Sequence, residues 1–275
     1  MSTKILTAVL VFLVLVDLWS SIDILHSYHI QYNATKCSVN ATTMHLNDAT
    51  MLLTDHLVCP LNSYATFYSQ GKQDEIVWRS YFTTNQTPSF CYGTFVEAGA
   101  FDGVNNSNTL FFEEHLGWSG LCIEPNPAAF GALSINRPNC RNIPIALGNS
   151  SGVNVTLHIH TKYPVLSKVQ LSIDNNTRQD NIVVQQKRLD DILVANHMPH
   201  VNFMSLDVED YEYKVLCGIN FSIVSVDVIT IEVHEWNKDA KNIHALLTNA
   251  NFVLDQTIGD EIWVNKDFLK KVRNT

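Results

Sequence analysis

With 275 residues, 46% of them apolar and 16% charged, the chain can bury the core of one good-sized domain plus an appendage, which excludes global disorder. The formal net charge of −9 excludes a nucleic-acid partner, because phosphate backbones need clustered Lys and Arg. The only basic cluster, Lys270, Lys271 and Arg273, reads as a solvated tail.

Residues 1–25 read as a membrane segment. Residues 5–16 are apolar except for Thr7, Lys4 precedes them, and no Lys or Arg follows until Lys36. That bias keeps the N-terminus cytoplasmic and makes the segment the signal anchor of a single-pass type II protein of the endoplasmic reticulum or Golgi lumen. A cleaved signal peptide and a secreted product is the competing reading, although Leu18-Trp19-Ser20-Ser21 has poor small-x-small spacing. Residues 26–66 are polar and lack periodicity, as a lumenal stem would, and Cys37 with Cys59 could close a loop there. Sequons at Asn33, Asn40, Asn85, Asn105, Asn149, Asn154, Asn175 and Asn220 fit entry into the secretory pathway. Six cysteines fit an oxidising lumen. No Cys or His spacing suggests zinc, and no metal site is expected.

Residues 67–275 form the expected folded domain. Helices are expected over residues 73–82, 109–116, 128–136, 189–196, 211–218 and 240–249, with a turn-rich break at 83–89. Strands are expected over 93–97, 120–124, 140–146, 153–158, 202–207, 226–232, 251–255 and 261–265. Continuously apolar strands alternating with helices imply a mainly parallel sheet covered on both faces, an α/β fold. The short link around Gly259 makes the last two strands a hairpin, so one of them runs antiparallel.

Four segments carry the chemistry. A strand ending in Glu97 runs into Ala98-Gly99-Ala100-Phe101-Asp102-Gly103, where glycines allow close backbone approach to a nucleotide-like ligand. The next strand ends in Glu124, about 20 residues past the glycine loop, the distance at which an acid can accept from ribose hydroxyls. NAD remains open on these two segments alone. A third strand delivers Asp207, Glu209 and Glu212, with Asp207 placed to face cofactor or substrate; Glu212 reads equally as part of an acidic helix start. A fourth brings Glu232 and His234, and His234 is the general-base candidate on titration grounds.

These segments resemble the FkbM-type methyltransferases. The resemblance rests on Tyr68-Ser69-Gln70-Gly71-Lys72-Gln73-Asp74, on residues 95–109 and 116–127, and on Leu206-Asp207-Val208-Glu209, in that order. It implies a Rossmann-like class I fold with sheet order 3-2-1-4-5-7-6 and an antiparallel strand 7, S-adenosyl-L-methionine as cofactor, and O-methyl transfer. Carried over by position, Glu97, Gly99, Ala100, Asp102 and Gly103 form the methionine-side loop, Asn108 and Thr109 support it, and Glu124 holds the ribose. Asp207 and Glu209 fall near the methyl-transfer centre and, with His234, are the catalytic candidates. The acceptor expected is a hydroxyl of a glycan or small molecule. One departure is Asp210, where the family usually has Gly, and it keeps open a catalytically inactive, interaction or trafficking role. The sequon at Asn105 lies inside the cofactor loop and is expected to be unmodified. The family order also makes the strands of Cys122 and Cys140 neighbours, which suggests a disulfide between them.

Overall fold

The structure is a computed structural model that describes residues 65–84, 87–88, 90–160, 164–170, 180–234 and 236–274. The expected anchor (1–25) and almost all of the expected stem (26–66), including Cys37 and Cys59, lie outside the described residues. Among the described residues no helix is long and apolar enough to cross a membrane.

The domain opens with α1 (Gln73–Tyr81) and a small antiparallel hairpin, β1 (Thr83–Thr84) and β2 (Thr87–Pro88), in the segment expected as a turn. Alternating strands and helices follow: β3 (Thr94–Ala98), α2 (Leu110–Leu116), β4 (Ser119–Ile123), α3 (Pro127–Asn136) and β5 (Arg141–Ile143). Local chemistry sets the helix ends. Asn126 caps α3 by accepting from the Ala128 N–H at 3.1 Å, ahead of a proline at the first helical position, and α2 stops at Gly117 with φ of 65°.

A second block interrupts the alternation: β6 (Ala146–Leu147), β7 (Val153–Ile159), a 3₁₀ turn (Pro164–Leu166), β8 (Lys168–Gln170) and β9 (Asp180–Lys187). The alternation then resumes with α4 (Leu189–Ala195), β10 (His200–Leu206), α5 (Glu212–Leu216), β11 (Ser225–Ile231), α6 (Ala240–Asn249), β12 (Phe252–Ile258), β13 (Asp260–Asn265) and α7 (Lys266–Arg273).

The main sheet runs β12-β13-β11-β10-β3-β4-β5. Counting only its strands in chain order and reading from the β5 edge, that is 3-2-1-4-5-7-6, the order implied by the resemblance. β3, β4, β5, β10 and β11 pair in parallel, and β13 is antiparallel to both neighbours. Successive residues point to opposite faces. Phe95, Cys122, Phe203, Val228 and Val264 join one buried cluster, while Val96, Leu121, Met204, Ile229 and Trp263 join the other. This explains why the strands read as continuous apolar runs.

Two expectations need correction. The strand expected over 140–146 is broken: β5 ends at Ile143, and Ala146–Leu147 leaves to pair with β9 in a separate four-stranded sheet, β6-β9-β7-β8. Residues 153–158 are a strand of that second sheet. The basic C-terminal tail is a helix. Asn265 caps α7 by accepting from the N–H groups of Asp267 and Phe268, Leu269 is buried, and Arg273 reaches Asp255 at 2.8 Å. Its last-turn cations suit the helix dipole, which is why a charged stretch holds a helix.

The cysteines divide differently from expectation. Cys122 and Cys140 are neighbours, and each is a free thiol. Burial pushes the Cys122 thiol up, and a hydrogen bond with Cys140 adds to this. The Cys140 thiol lies 3.3 Å from the Gly120 carbonyl, to which it donates. Two reduced, apolar-packed thiols satisfy the site without a bridge. Cys91, by contrast, is disulfide-bonded.

Candidate active site

The carboxyl ends of β3, β4 and β10 and the second sheet border a cleft that is open to solvent on one side. This is where an open α/β sheet offers a ligand site. Gly99, Phe101, Glu124, Asp207 and Glu209 line it, together with the apolar stretch Ile145–Leu147. Leu157 and Val169 from the second sheet, with Ser167 just before β8, close one wall.

Gly99 is required by geometry. Its φ is +83°, and a β-carbon there would sit 1.7 Å from the Asp207 carbonyl oxygen. The loop therefore crosses directly over the end of β10, tied to β4 by the Gly99 and Ala100 N–H groups donating to the Ile123 carbonyl at 3.0 and 3.1 Å. Glu124 is buried at 7% exposure, and its two carboxylate oxygens accept from the Phe101 N–H at 2.9 Å and the Asn126 N–H at 2.7 Å. Each oxygen keeps capacity for a second bond, which ribose hydroxyls could donate. Burial pushes the Glu124 carboxyl up to about 7, while the two N–H bonds act to lower it.

Glu97 does something else. It is 4% exposed and accepts from Ser107 Oγ (2.9 Å), the Asn108 N–H (2.8 Å), Thr109 Oγ1 (2.7 Å) and Arg137 Nη1 (3.1 Å). It is thus a hub that folds residues 99–109 back against the sheet, and it does not line the cleft. Asn108 ties the same hub to β10 by donating to Ser205 Oγ at 2.9 Å. Asp102 caps the next turn by accepting from the N–H groups of Val104 and Asn105 at 3.0 and 2.9 Å. Ala100 is buried in the core, and Gly103 packs against α3, where a β-carbon would meet Leu133 and Arg137 at 2.6 Å. Of the cofactor-loop candidates, Gly99 and Glu124 meet the cleft, and Glu97, Ala100, Asp102, Gly103 and Asn108 support it from behind.

Arg137 was not among the sequence candidates. It is fully buried and holds Glu97 and Glu113 (2.6 Å), with further bonds to the Gly103 carbonyl, Ser107 and Thr109. A signal existed. Arg137 is the only Lys or Arg between Arg79 and Arg141, a span carrying five acids. The segment Tyr68–Asp74 is also explained: Asp74, wholly buried, accepts from the Tyr68 and Ser69 N–H groups, and Gln73 donates to Asp260 at 2.7 Å.

At the mouth of the cleft three carboxylates meet. Asp207, Glu209 and Glu232 each place one oxygen within 4.8 Å of the other two. Adjacent strands put them there, since Leu206 of β10 is in register with Ile231 of β11. Asp207 opens onto the cleft, yet protein packed around its carboxyl displaces water and raises its pKa, and the charge of Glu232 raises it further. Glu232 is raised by the same loss of solvation, then by Glu209 and Glu212. Glu209 stands at about 7, through desolvation and then Asp207.

His234 is half-exposed, 3.3 Å from Glu232, and stacked on the exposed Trp236 with ring centroids 4.5 Å apart. It joins the rim of the acid cluster and not the cleft wall.

Asp210 keeps the backbone that a glycine would favour. Its φ is +71°, following Glu209 at +57°. Its side chain is exposed and pairs with Lys168 at 3.2 Å, so it leaves the cleft unobstructed. The described sequon residues Asn105, Asn149, Asn154 and Asn220 are all exposed.

A family model described as the methyltransferase FkbM domain matches residues 97–254. The hexuronic acid methyltransferase AglP of Haloferax volcanii is 24% identical over 140 residues, 50% of this chain and 56% of that protein. The chain thus matches little more than half the length of that curated relative. Among solved structures, the methyltransferase FkbM from Methylobacillus flagellatus KT aligns with a TM-score of 0.42 and 12% identity over 68% of this chain and 47% of that one. Aeropyrum pernix fibrillarin in complex with natively bound S-adenosyl-L-methionine aligns with a TM-score of 0.36 and 10% identity over 63% and 66% of the two chains.

Proposed function

This chain belongs to the FkbM methyltransferase family, and from that premise we propose that it is an S-adenosylmethionine-dependent O-methyltransferase of the secretory pathway, acting on a hydroxyl of a glycan or small molecule. The observation that carries the reading is the pairing of Gly99 and Glu124 across one cleft. Gly99 lets the loop cross against the Asp207 carbonyl and so brings its backbone to the cleft, and Glu124 presents a carboxylate to a ribose. The apolar wall Ile145–Leu147 suits the face of an adenine ring. When bound, the cofactor supplies a methyl carbon already activated on a sulfonium.

The protein's own task is then alignment and proton removal. The acid cluster lies at the cleft mouth, where an acceptor hydroxyl would enter. Asp207, Glu209 or the Glu232–His234 pair would accept the proton of an acceptor hydroxyl held there. Negative charge around the sulfonium side also favours a cationic cofactor over an anionic one. A glycan acceptor accords with the hexuronic acid named for the AglP relative and with the exposed Trp236 ring beside His234.

The lumenal setting is supported by the disulfide at Cys91 and by the exposed sequon residues Asn149, Asn154 and Asn220. An inactive role loses its main argument, because Asp210 is turned away from the cleft.

The deciding experiment is calorimetric titration of the purified full chain with S-adenosylmethionine, followed by methyl transfer from labelled cofactor to a panel of glycans. Saturable binding that Glu124→Ala abolishes is the expected result. A folded chain that does not bind the cofactor removes the proposal.

A further inference from the structure

Among the described residues the only basic side chain paired with the acid cluster is His234, 3.3 Å from Glu232. No Lys or Arg forms an ion pair with Asp207, Glu209 or Glu232 among the described residues, and nearby Lys168 is engaged by Asp210. The distances fit a shared cation. Ligand oxygens on opposite sides of a hard divalent ion stand about 4–5 Å apart, twice a metal–oxygen distance of roughly 2.0–2.6 Å. The three oxygens here lie within 4.8 Å of one another.

A second observation comes from Glu212. It is 1% exposed, and its Oε1 accepts from the Val208 N–H at 3.0 Å. Its Oε2 is buried and has no hydrogen-bond partner. The Oε1 contact lays this carboxylate against the backbone that joins Asp207 to Glu209, two of the three acids. A buried carboxylate oxygen without a donor is costly unless a positive charge stands nearby. More negative charge behind three converging acids sharpens the need for a cation and supplies an acceptor for a metal-bound water.

We infer that Asp207, Glu209 and Glu232 hold one divalent cation of the hard, oxygen-preferring class, Mg²⁺, Mn²⁺ or Ca²⁺, backed by Glu212. All three donors are carboxylate oxygens, which suit that class and not a thiophilic metal. His234 contacts Glu232 at 3.3 Å and orients it from outside. The site adjoins the cleft through Asp207 and Glu209, so the cation would bring an acceptor oxygen beside the cofactor and ease its deprotonation. That role rests on the methyltransferase reading, whereas the cation site itself does not.

The test uses Mn²⁺ as probe. The purified full chain is stripped with EDTA, exchanged into metal-free buffer and titrated while the electron paramagnetic resonance signal of free Mn²⁺ is followed. A single saturable site is expected, displaced by Mg²⁺ or Ca²⁺. Its affinity should fall at least roughly tenfold in Asp207→Asn and in Glu232→Gln and stay unchanged in Asp267→Asn, an exposed acid of α7. Thermal melting checks that each variant is folded, and Glu209→Gln replaces any that is not. No saturable site, or a site that survives these substitutions, overturns the inference. Cofactor titration in EDTA separates the two readings. Cofactor binding without a Mn²⁺ site refutes only the cation, and a Mn²⁺ site without cofactor binding refutes only the methyltransferase.

Discussion

Arg137→Met removes the one cation from the hub behind the cofactor loop. The substitution conserves much of the volume but deletes ion pairs to Glu97 and Glu113 and bonds to Gly103, Ser107 and Thr109. Leaving a buried charge uncompensated costs about 3–5 kcal/mol. The low end is expected, because Glu97 keeps Ser107, Asn108 and Thr109 as donors and Glu113 retains 11% side-chain exposure. For a domain of this size about 3 kcal/mol corresponds to a fall in Tm of roughly 6–12 °C. Scanning calorimetry measures it, and a double-mutant cycle with Glu97→Gln isolates the pair. A coupling of about 1–3 kcal/mol is expected, since neutralising Glu97 relieves part of the penalty once the arginine is gone. Cofactor affinity should fall with stability, because residues 99–109 lose their tether. A Tm within about 2 °C of the parent, or strict additivity in the cycle, would falsify the hub.

Other expectations follow from the same geometry. Gly99→Ala places a methyl group on the Asp207 carbonyl and forces an unfavourable φ, so it should abolish cofactor binding in calorimetry. Gly131→Ala, inside α3 with open space around it, should instead stabilise the domain by about 0.5–1 kcal/mol in urea unfolding. Cofactor affinity should decline as pH drops below about 7, where Glu124 becomes protonated and stops accepting from the ribose, with binding releasing a proton near that pH. Glu124→Gln should remove that step, whereas a profile unchanged by it would assign the pH dependence elsewhere. The stability sign is opposite to that of a salt-bridged acid. The folded pKa of Glu124 lies above its unfolded value, so the folded form binds more protons between about pH 4.5 and 7. Unliganded stability therefore rises as pH falls through that window, by up to about 3 kcal/mol from this group. Asp210→Gly should leave cofactor affinity within about twofold, because the side chain points to solvent; a larger change would place it in the cleft.

The strands were legible because burial on both faces writes itself as uninterrupted apolar runs, as in Phe203-Met204 and Val228-Ile229. The glycine loop and the acid at each strand end were legible because backbone crossings and turns restrict residue type locally. Gly259 likewise marked the final hairpin. Less local features were harder to read. β9 has exposed Val183 and buried Gln186, so its polarity pattern follows its own neighbours in a second sheet. α7 is short, and its charges hide a single buried leucine.

Residue type and order thus determined the sheet, its 3-2-1-4-5-7-6 order by resemblance, and which side chains are chemically able to act. Folding decided what each does. Glu97 and Glu124 both end strands beside the same loop, yet Glu97 is saturated by Ser107, Asn108, Thr109 and Arg137, while Glu124 faces the cleft. Cys122 and Cys140, 18 residues apart in the chain, meet as free thiols in one buried cluster. Asp207, Glu209 and Glu232 come from two segments over 20 residues apart and converge only because β10 and β11 run in register. A carboxylate's identity is written in the chain, but its partners, solvation and charge depend on contacts between distant segments, which exist only once the sheet has closed.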